Sequence, residues 1–168
     1  LAAASTNVIG GTVAGAGNVI SGNDYGIRLG SSATARGNWI QGNLIGTDAT
    51  GTQPVPNAFD GLSLGFANYN LIGGSVPGAR NVISGNGLGV HVDGATNITI
   101  QGNWIGLDAG GTLDRGNTNA GIQSRSDGLT IGGTAAGARN VISGNNGFGI
   151  YLDAATGAVV RGNYIGTN

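Results

Sequence analysis

Apolar and polar residues alternate along this chain in short runs of four to six positions, as in Val90, Val92 and then Ile98, Ile100. That is the period of a β-strand with one face turned inward, and no window carries a helical stripe. Between the runs stand Gly, Asn, Ser and Thr, which tolerate the tight or left-handed backbone of a corner. The runs recur. Asn81-Val82-Ile83-Ser84-Gly85-Asn86 stands also at Asn18 to Asn23 and at Asn140 to Asn145, with starts 63 and 59 residues apart. A related motif closes each following segment at Gly42-Asn43-Leu44-Ile45-Gly46, Gly102-Asn103-Trp104-Ile105-Gly106 and Gly162-Asn163-Tyr164-Ile165-Gly166, at a spacing of 60 and 60.

Overlaying hexamer and closer divides each unit of about 60 residues into a short winding and a long one. Short strands repeating in register predict an all-β solenoid, a right-handed parallel β-helix of about six windings with alternating short and long windings, forming one domain over residues 1–168. One inward column is predicted to hold Ile20, Ile45, Ile83, Ile105, Ile142 and Ile165. Just before it stand Asn18, Asn43, Asn81, Asn103, Asn140 and Asn163, whose amides are expected to bond to one another along the axis. Two segments, Thr47 to Asp60 and Leu107 to Asn119, read as loops that leave the barrel at equivalent corners and flank a neighbouring face. The first short winding carries about three extra residues near Ser31 to Arg36, and Trp39 stands in the place of Thr99.

The Asn-Val-Ile-Ser-Gly-Asn and Gly-Asn-Trp-Ile-Gly pattern resembles the parallel β-helix repeats of large secreted bacterial surface proteins, which share the architecture of pectate lyases. The resemblance covers essentially the whole chain. It implies the fold, and it implies a functional range running from polysaccharide lyases and glycoside hydrolases to adhesins. In the polysaccharide-cleaving members, the resemblance implies, an outward strand face carries the site.

Composition narrows the choices. Of 168 residues 36 are Gly, without the every-third spacing of collagen, and every charged side chain is Arg or Asp. A net charge of -1 gives no basic footprint, so nucleic acid is excluded as an electrostatic partner. With neither Cys nor Met the chain has no disulfide and none of the most oxidisable side chains, which suits an extracellular or cell-surface location. No apolar stretch is long enough to span a membrane. The start, Leu1-Ala2-Ala3-Ala4, lacks an initiator Met and a charged leader, so the chain reads as part of a longer repeat protein. Leu1 aligns with Leu64 and Asn168 with Asp108, leaving both ends without a polar cap. End-to-end self-association or continuation into flanking repeats is therefore expected.

With Ile27, Leu29, Val90, Val92, Ile150 and Leu152 inward, alternation turns their neighbours outward. One outward column is then Arg28, Ser63, His91, Gln123, Tyr151, and the next is Gly30, Gly65, Asp93, Arg125, Asp153. The catalytic candidates are His91, Asp93, Arg125 and Asp153. Asp93 and Asp153 stand two strands apart, about 9.6 Å, near the upper end of the carboxylate spacing of inverting glycosidases. An Arg between them favours the ionised form of both, against a general acid, and a ladder of opposite charges on adjacent strands is the simpler reading. His91 lies two residues from Asp93, which offers to orient its imidazole.

Candidate ligand-binding residues are Arg28, Gln123 and Tyr151 on that face, with Trp104 and Tyr164 as outward rings for stacking on sugars or for covering the barrel wall. No metal site is expected, since there is one His and no Cys. Asp48 and Asp108 open the long loops as Asx turns, with Ca as the weaker alternative. Ice binding lacks the Thr-x-Thr array it needs. The expected role is structural scaffold, adhesin segment or carbohydrate-binding surface, with a polysaccharide as partner; the alternative is a polysaccharide lyase or glycoside hydrolase.

Overall fold

In a computed structural model, which describes residues 4–31 and 35–167, the predicted alternation closes into a parallel β-solenoid. The strands in chain order are β1 (Val8–Gly10), β2 (Val19–Ile20), β3 (Ile27–Ser31), β4 (Trp39–Gln41), β5 (Leu44–Ile45), β6 (Asp60–Gly65), β7 (Leu71–Gly73), β8 (Val82–Ile83), β9 (Leu88–Asp93), β10 (Thr99–Gln101), β11 (Trp104–Ile105), β12 (Ile122–Arg125), β13 (Thr130–Gly132), β14 (Val141–Ile142), β15 (Ile150–Leu152), β16 (Val159–Arg161) and β17 (Tyr164–Ile165). They are dealt in rotation to three parallel sheets: sheet A takes β1, β4, β7, β10, β13 and β16, sheet B the strand after each, and sheet C the five strands that follow those of B. The described residues thus make five full turns and two strands of a sixth, rather than six windings.

The turns are also nearly equal in length. Successive partners on sheet A, Ile9, Ile40, Ile72, Ile100, Ile131 and Val160, lie 28 to 32 residues apart. The alternation is widest on sheet B, from Ile45 to Ile83 and then Ile105. What alternates is the corner that carries the insertion. In one turn the link from A to B bulges outward, as at the 3-10 turns Pro77–Ala79 and Ala136–Ala138; in the next, the link from B to C extends as a hairpin, closed by the antiparallel bridges Thr47↔Pro54 and Leu107↔Asp114.

Each insertion is about two turns thick. The two hairpins touch, Ala109 N–H donating to the Gly51 carbonyl at 2.8 Å, and between them the corner at Gly85 tucks in, its N–H donating to the Arg115 carbonyl at 2.7 Å. On the other corner the tight turns at Gly42 and Gly102 donate to the carbonyls of Ala79 and Ala138. A Cβ on Gly78 or Gly137 would overlap the carbonyl oxygen of Thr12 or Ser75, two turns away. Insertions of this thickness fit on one corner only in alternate turns. The unit of about 60 residues is therefore a pair of turns.

Inside, Ile40, Ile72, Ile100 and Ile131 from sheet A face Ile45, Ile83, Ile105 and Ile142 from sheet B and the paired columns Leu62, Val90, Ile122 and Leu64, Val92 from sheet C, all fully buried or nearly so. Each such side chain contributes roughly 2–3 kcal/mol through removal from water. Ser124 interrupts the last column; its buried hydroxyl has no hydrogen-bond partner.

The predicted amide column forms. Along the corner from A to B, Asn18, Asn43, Asn81, Asn103, Asn140 and Asn163 each donate from Nδ2 to the Oδ1 of the next, at 2.9–3.1 Å. A second column, not foreseen as such, runs along the corner from B to C through Asn23, Asn57, Asn86, Asn117 and Asn145. Asn57 and Asn117 close the two hairpins and return the chain to the barrel. A third begins on the corner from C to A as Asn7, Asn38 and Asn70, and is continued by Ile98 and Leu129, both buried. The expectations placed on Leu1, on Asn168 and on most of the extra residues near Ser31 fall outside the described residues. No helix of the described residues is long and apolar enough to cross a membrane.

Candidate functional site

Sheet C has the longest strands of the barrel, β6 and β9 at six residues each, so alternation there displays the most side chains on one outer face. The register places Arg28 beside Ser63, Ser63 beside His91, His91 beside Gln123, and Gln123 beside Tyr151, as expected. In the next column Gly65, Asp93 and Arg125 are neighbours, but a bulge between Leu29 and Ser31 brings Ser31 rather than Gly30 against Gly65.

At one end of this face the side chains form a shallow groove of about 220 Å³, lined among others by Tyr25, Arg28, Asp60, Phe66, His91 and Asp93. The Arg28 guanidinium lies over the Tyr25 ring, 4.9 Å from its centroid, and Tyr25 packs against Phe59 at 5.2 Å. His91 Nδ1 bonds to Asp60 Oδ2 at 3.2 Å, so its orienting carboxylate is Asp60 from the preceding turn and not Asp93. Asp60 is 6% exposed. Its hydrogen bond raises the His91 pKa against the burial that opposes protonation; the charges of Asp60 and Asp93 add to the rise and Arg125 subtracts from it. A carboxylate accepting at Nδ1 leaves Nε2 as the free nitrogen of the neutral ring.

Further along the same face Arg125 Nε donates to Asp153 Oδ2 at 2.8 Å. Arg125 thus pairs with Asp153 as a cross-strand ion pair. Tyr151 stacks on Phe148 at 5.0 Å and 20°. The catalytic candidates are therefore divided, with His91 and Asp93 in the groove and Arg125 and Asp153 beside it.

Trp104 and Tyr164 face outward, but on sheet B, away from this face. Arg80 lies over Trp104 and Arg139 over Tyr164, each 4.1 Å from the ring centroid, and the same arginines donate through Nε to the corner carbonyls of Gly102 and Gly162. A groove of about 640 Å³ lies between Trp104 and Tyr164, with Asp114 and Ser143 on its wall. The hairpins lean over this sheet, Gly51 against Leu44 and Gly111 against the Trp104 ring. Neither hairpin, Thr47 to Pro54 or Leu107 to Asp114, contributes a residue to the groove on sheet C.

Asp48 and Asp108 make the expected Asx turns. Asp48 Oδ1 accepts from the N–H groups of Thr52 and Gln53, and Asp108 Oδ1 from those of Thr112 and Leu113. The bond from Gln53 leads in holding the Asp48 carboxyl below its usual range. For Asp108 loss of hydration pushes the other way, and the N–H groups of Leu113, Thr112 and Gly110 outweigh it. Among the described residues no three His, Cys, Asp or Glu side chains come together as a metal site would require.

Sequence reasoning missed Asp60, Tyr25, Phe59 and Phe66. A signal existed: Gly26, Gly61, Gly89 and Gly121 form a column whose absent Cβ atoms leave room for the sheet B isoleucines, and the residues before them, Tyr25, Asp60, Leu88 and Ala120, form a column of their own. Comparison with protein-family models, curated proteins and solved structures gave no match.

Proposed function

We propose that this chain is a rigid β-solenoid module of an extracellular or cell-surface protein, of the pectate-lyase-like right-handed architecture, that presents a carbohydrate-binding face on sheet C. The observation that carries this reading is the groove itself. Aromatic rings at Phe66 and at Tyr25, which packs on Phe59, line it beside Arg28, Ser63, His91 and Asp93. Flat apolar rings beside paired donors and acceptors suit a pyranose, which offers apolar C–H faces and rims of hydroxyls. A chain without Cys or Met, with a barrel stapled by buried amides, supports service outside the cell.

Calorimetric titration with a panel of neutral and acidic polysaccharides tests the proposal. Binding is expected to weaken at least tenfold in the double variant Arg28→Ala, His91→Ala; a panel on which nothing binds, or binding indifferent to that variant, sinks it.

A second reading rests on the Asp60–His91 pair. A carboxylate-oriented imidazole at the edge of a groove is a general-base arrangement, and it supports a polysaccharide lyase or hydrolase. Release of reducing ends or of unsaturated products, abolished by His91→Ala and retained in Arg125→Ala, would favour this reading over simple binding.

A further inference from the structure

The chain contains nine aromatic residues, and five of them, Tyr25, Trp39, Phe59, Phe66 and Tyr69, fall within the first three turns. They form one band around the solenoid. Tyr25 and Phe59 stand together where sheet C begins, and Phe66 stands where β6 ends. Tyr69 follows in the corner from C to A, its carbonyl accepting from Gly37 N–H, and Trp39 is the second residue beyond Gly37, facing outward on sheet A beside Leu71. Phe59, Phe66, Tyr69 and Trp39 are 51–63% exposed.

Two of these rings are held at a conformational cost. The corner from C to A takes left-handed backbone at one point in every described turn and at a second point in most of them. At the position of Tyr69 (φ +54°) the other turns place Thr6, Gly37, Asn97, Gly128 and Gly157; at that of Phe66 (φ +56°) later turns place Gly94 and Ala154. A large side chain in this region is an outlier, and exposed rings recover little of the cost through burial. Of the non-glycine residues in left-handed backbone, Thr6, Phe66, Tyr69, Asn97 and Ala154, only Phe66 and Tyr69 carry aromatic rings, and both continue the band beside the groove that Phe66 lines.

The charges bordering the groove select the ligand. Its lining holds the carboxylates of Asp60 and Asp93 against Arg28 and the titratable His91, so an anionic sugar would meet as much repulsion as attraction, while vicinal hydroxyls can bond to both signs. The band from Phe59 to Phe66 alone runs roughly 20 Å along one strand, longer than a single ring needs.

Resting on the carbohydrate-binding reading of the same face, we propose that the first three turns bind a neutral oligosaccharide laid across the solenoid axis, from Tyr25 and Phe59 over the groove to Phe66, Tyr69 and Trp39. The polymer then follows the strand direction and passes over the corner onto sheet A.

Titration with a cello-disaccharide and a cello-hexasaccharide, with oligogalacturonate as the anionic comparison, decides the matter. The hexasaccharide is expected to bind more tightly than the disaccharide, and Tyr69→Gly and Trp39→Ala should each weaken it about tenfold, leaving the disaccharide unaffected. Tyr69→Gly should also keep or raise Tm, because glycine relieves the left-handed strain; a lowered Tm would assign the ring to packing and overturn the proposal. Hexasaccharide binding that is lost in Arg28→Ala but indifferent to Tyr69→Gly and Trp39→Ala would leave the face a sugar site and overturn the transverse path. Preference for oligogalacturonate would overturn the ligand class, and no binding by any of the three removes the carbohydrate reading beneath it.

Discussion

Asn81 bonds in four directions at once: Nδ2 donates to Asn103 Oδ1 and to the Ile40 carbonyl, and Oδ1 accepts from both nitrogens of Asn43. Replacing it by Ala strands buried partners on two neighbouring turns, so Asn81→Ala should lower unfolding free energy by about 3 kcal/mol or more in urea titration. Ser124 is the opposite case. Its hydroxyl is buried without a partner, and Ser124→Ala should raise stability by about 1 kcal/mol. His91 makes stability depend on pH. Its folded pKa lies above the unfolded value, so its contribution is whole below about pH 6.5 and fades as pH rises through the raised pKa. Melting followed from pH 5 to pH 9 should show that loss in the native chain and not in His91→Gln. At this scale the first amide column was legible, because Asn-x-Ile recurs in one spacing. The Asp60–His91 bond was not: its partners are 31 residues apart, and Asp60 ends what reads as a loop.

Elements in this fold are defined by their corners more than by their strands, some of which are two residues long. The outward and inward columns of sheet C could be read directly, since alternation with period two fixes a strand face once one inward residue is known. The corners could not. Hexamer and closer both mark the corner from A to B, so their spacing registers where insertions fall and suggests unequal windings in a barrel whose turns are nearly equal. Contact between insertions two turns apart rests on glycine. Gly137 has no room for a Cβ against the Ser75 carbonyl, whereas Gly157, at φ +67°, faces open space. Gly137→Ala should therefore cost about 3 kcal/mol by forcing apart two backbones, and Gly157→Ala about 1 kcal/mol for its dihedral alone. Chemical denaturation of the two variants separates these magnitudes.

For the whole molecule, the alternation of insertions makes the pair of turns the unit that can be added or removed. Deleting Leu44–Asn103 joins Asn43 to Trp104, keeps the amide columns of the A-to-B and B-to-C corners in step and leaves insertions on alternate corners. That shortened chain should fold, with a parallel-β circular dichroism spectrum and a cooperative melt. Deleting Gly73–Ile100 removes a single turn and sets the two hairpins on consecutive levels, where each needs the space of the other. It should lose the cooperative melt, although it removes fewer residues.

The amide columns described above also run one way. At every step the nitrogen belongs to the earlier turn and the oxygen to the later one, on all three corners. The solenoid therefore has a polarity, with its side-chain dipoles aligned along the axis and unable to cancel as those of an antiparallel sheet do. Any further turn, whether from the same chain or from another copy, can extend such a column in only one sense, acceptor upon donor. A head-to-head joint would set like groups against like, so growth of this barrel, where it occurs, is directional, as in a filament whose two ends are chemically distinct.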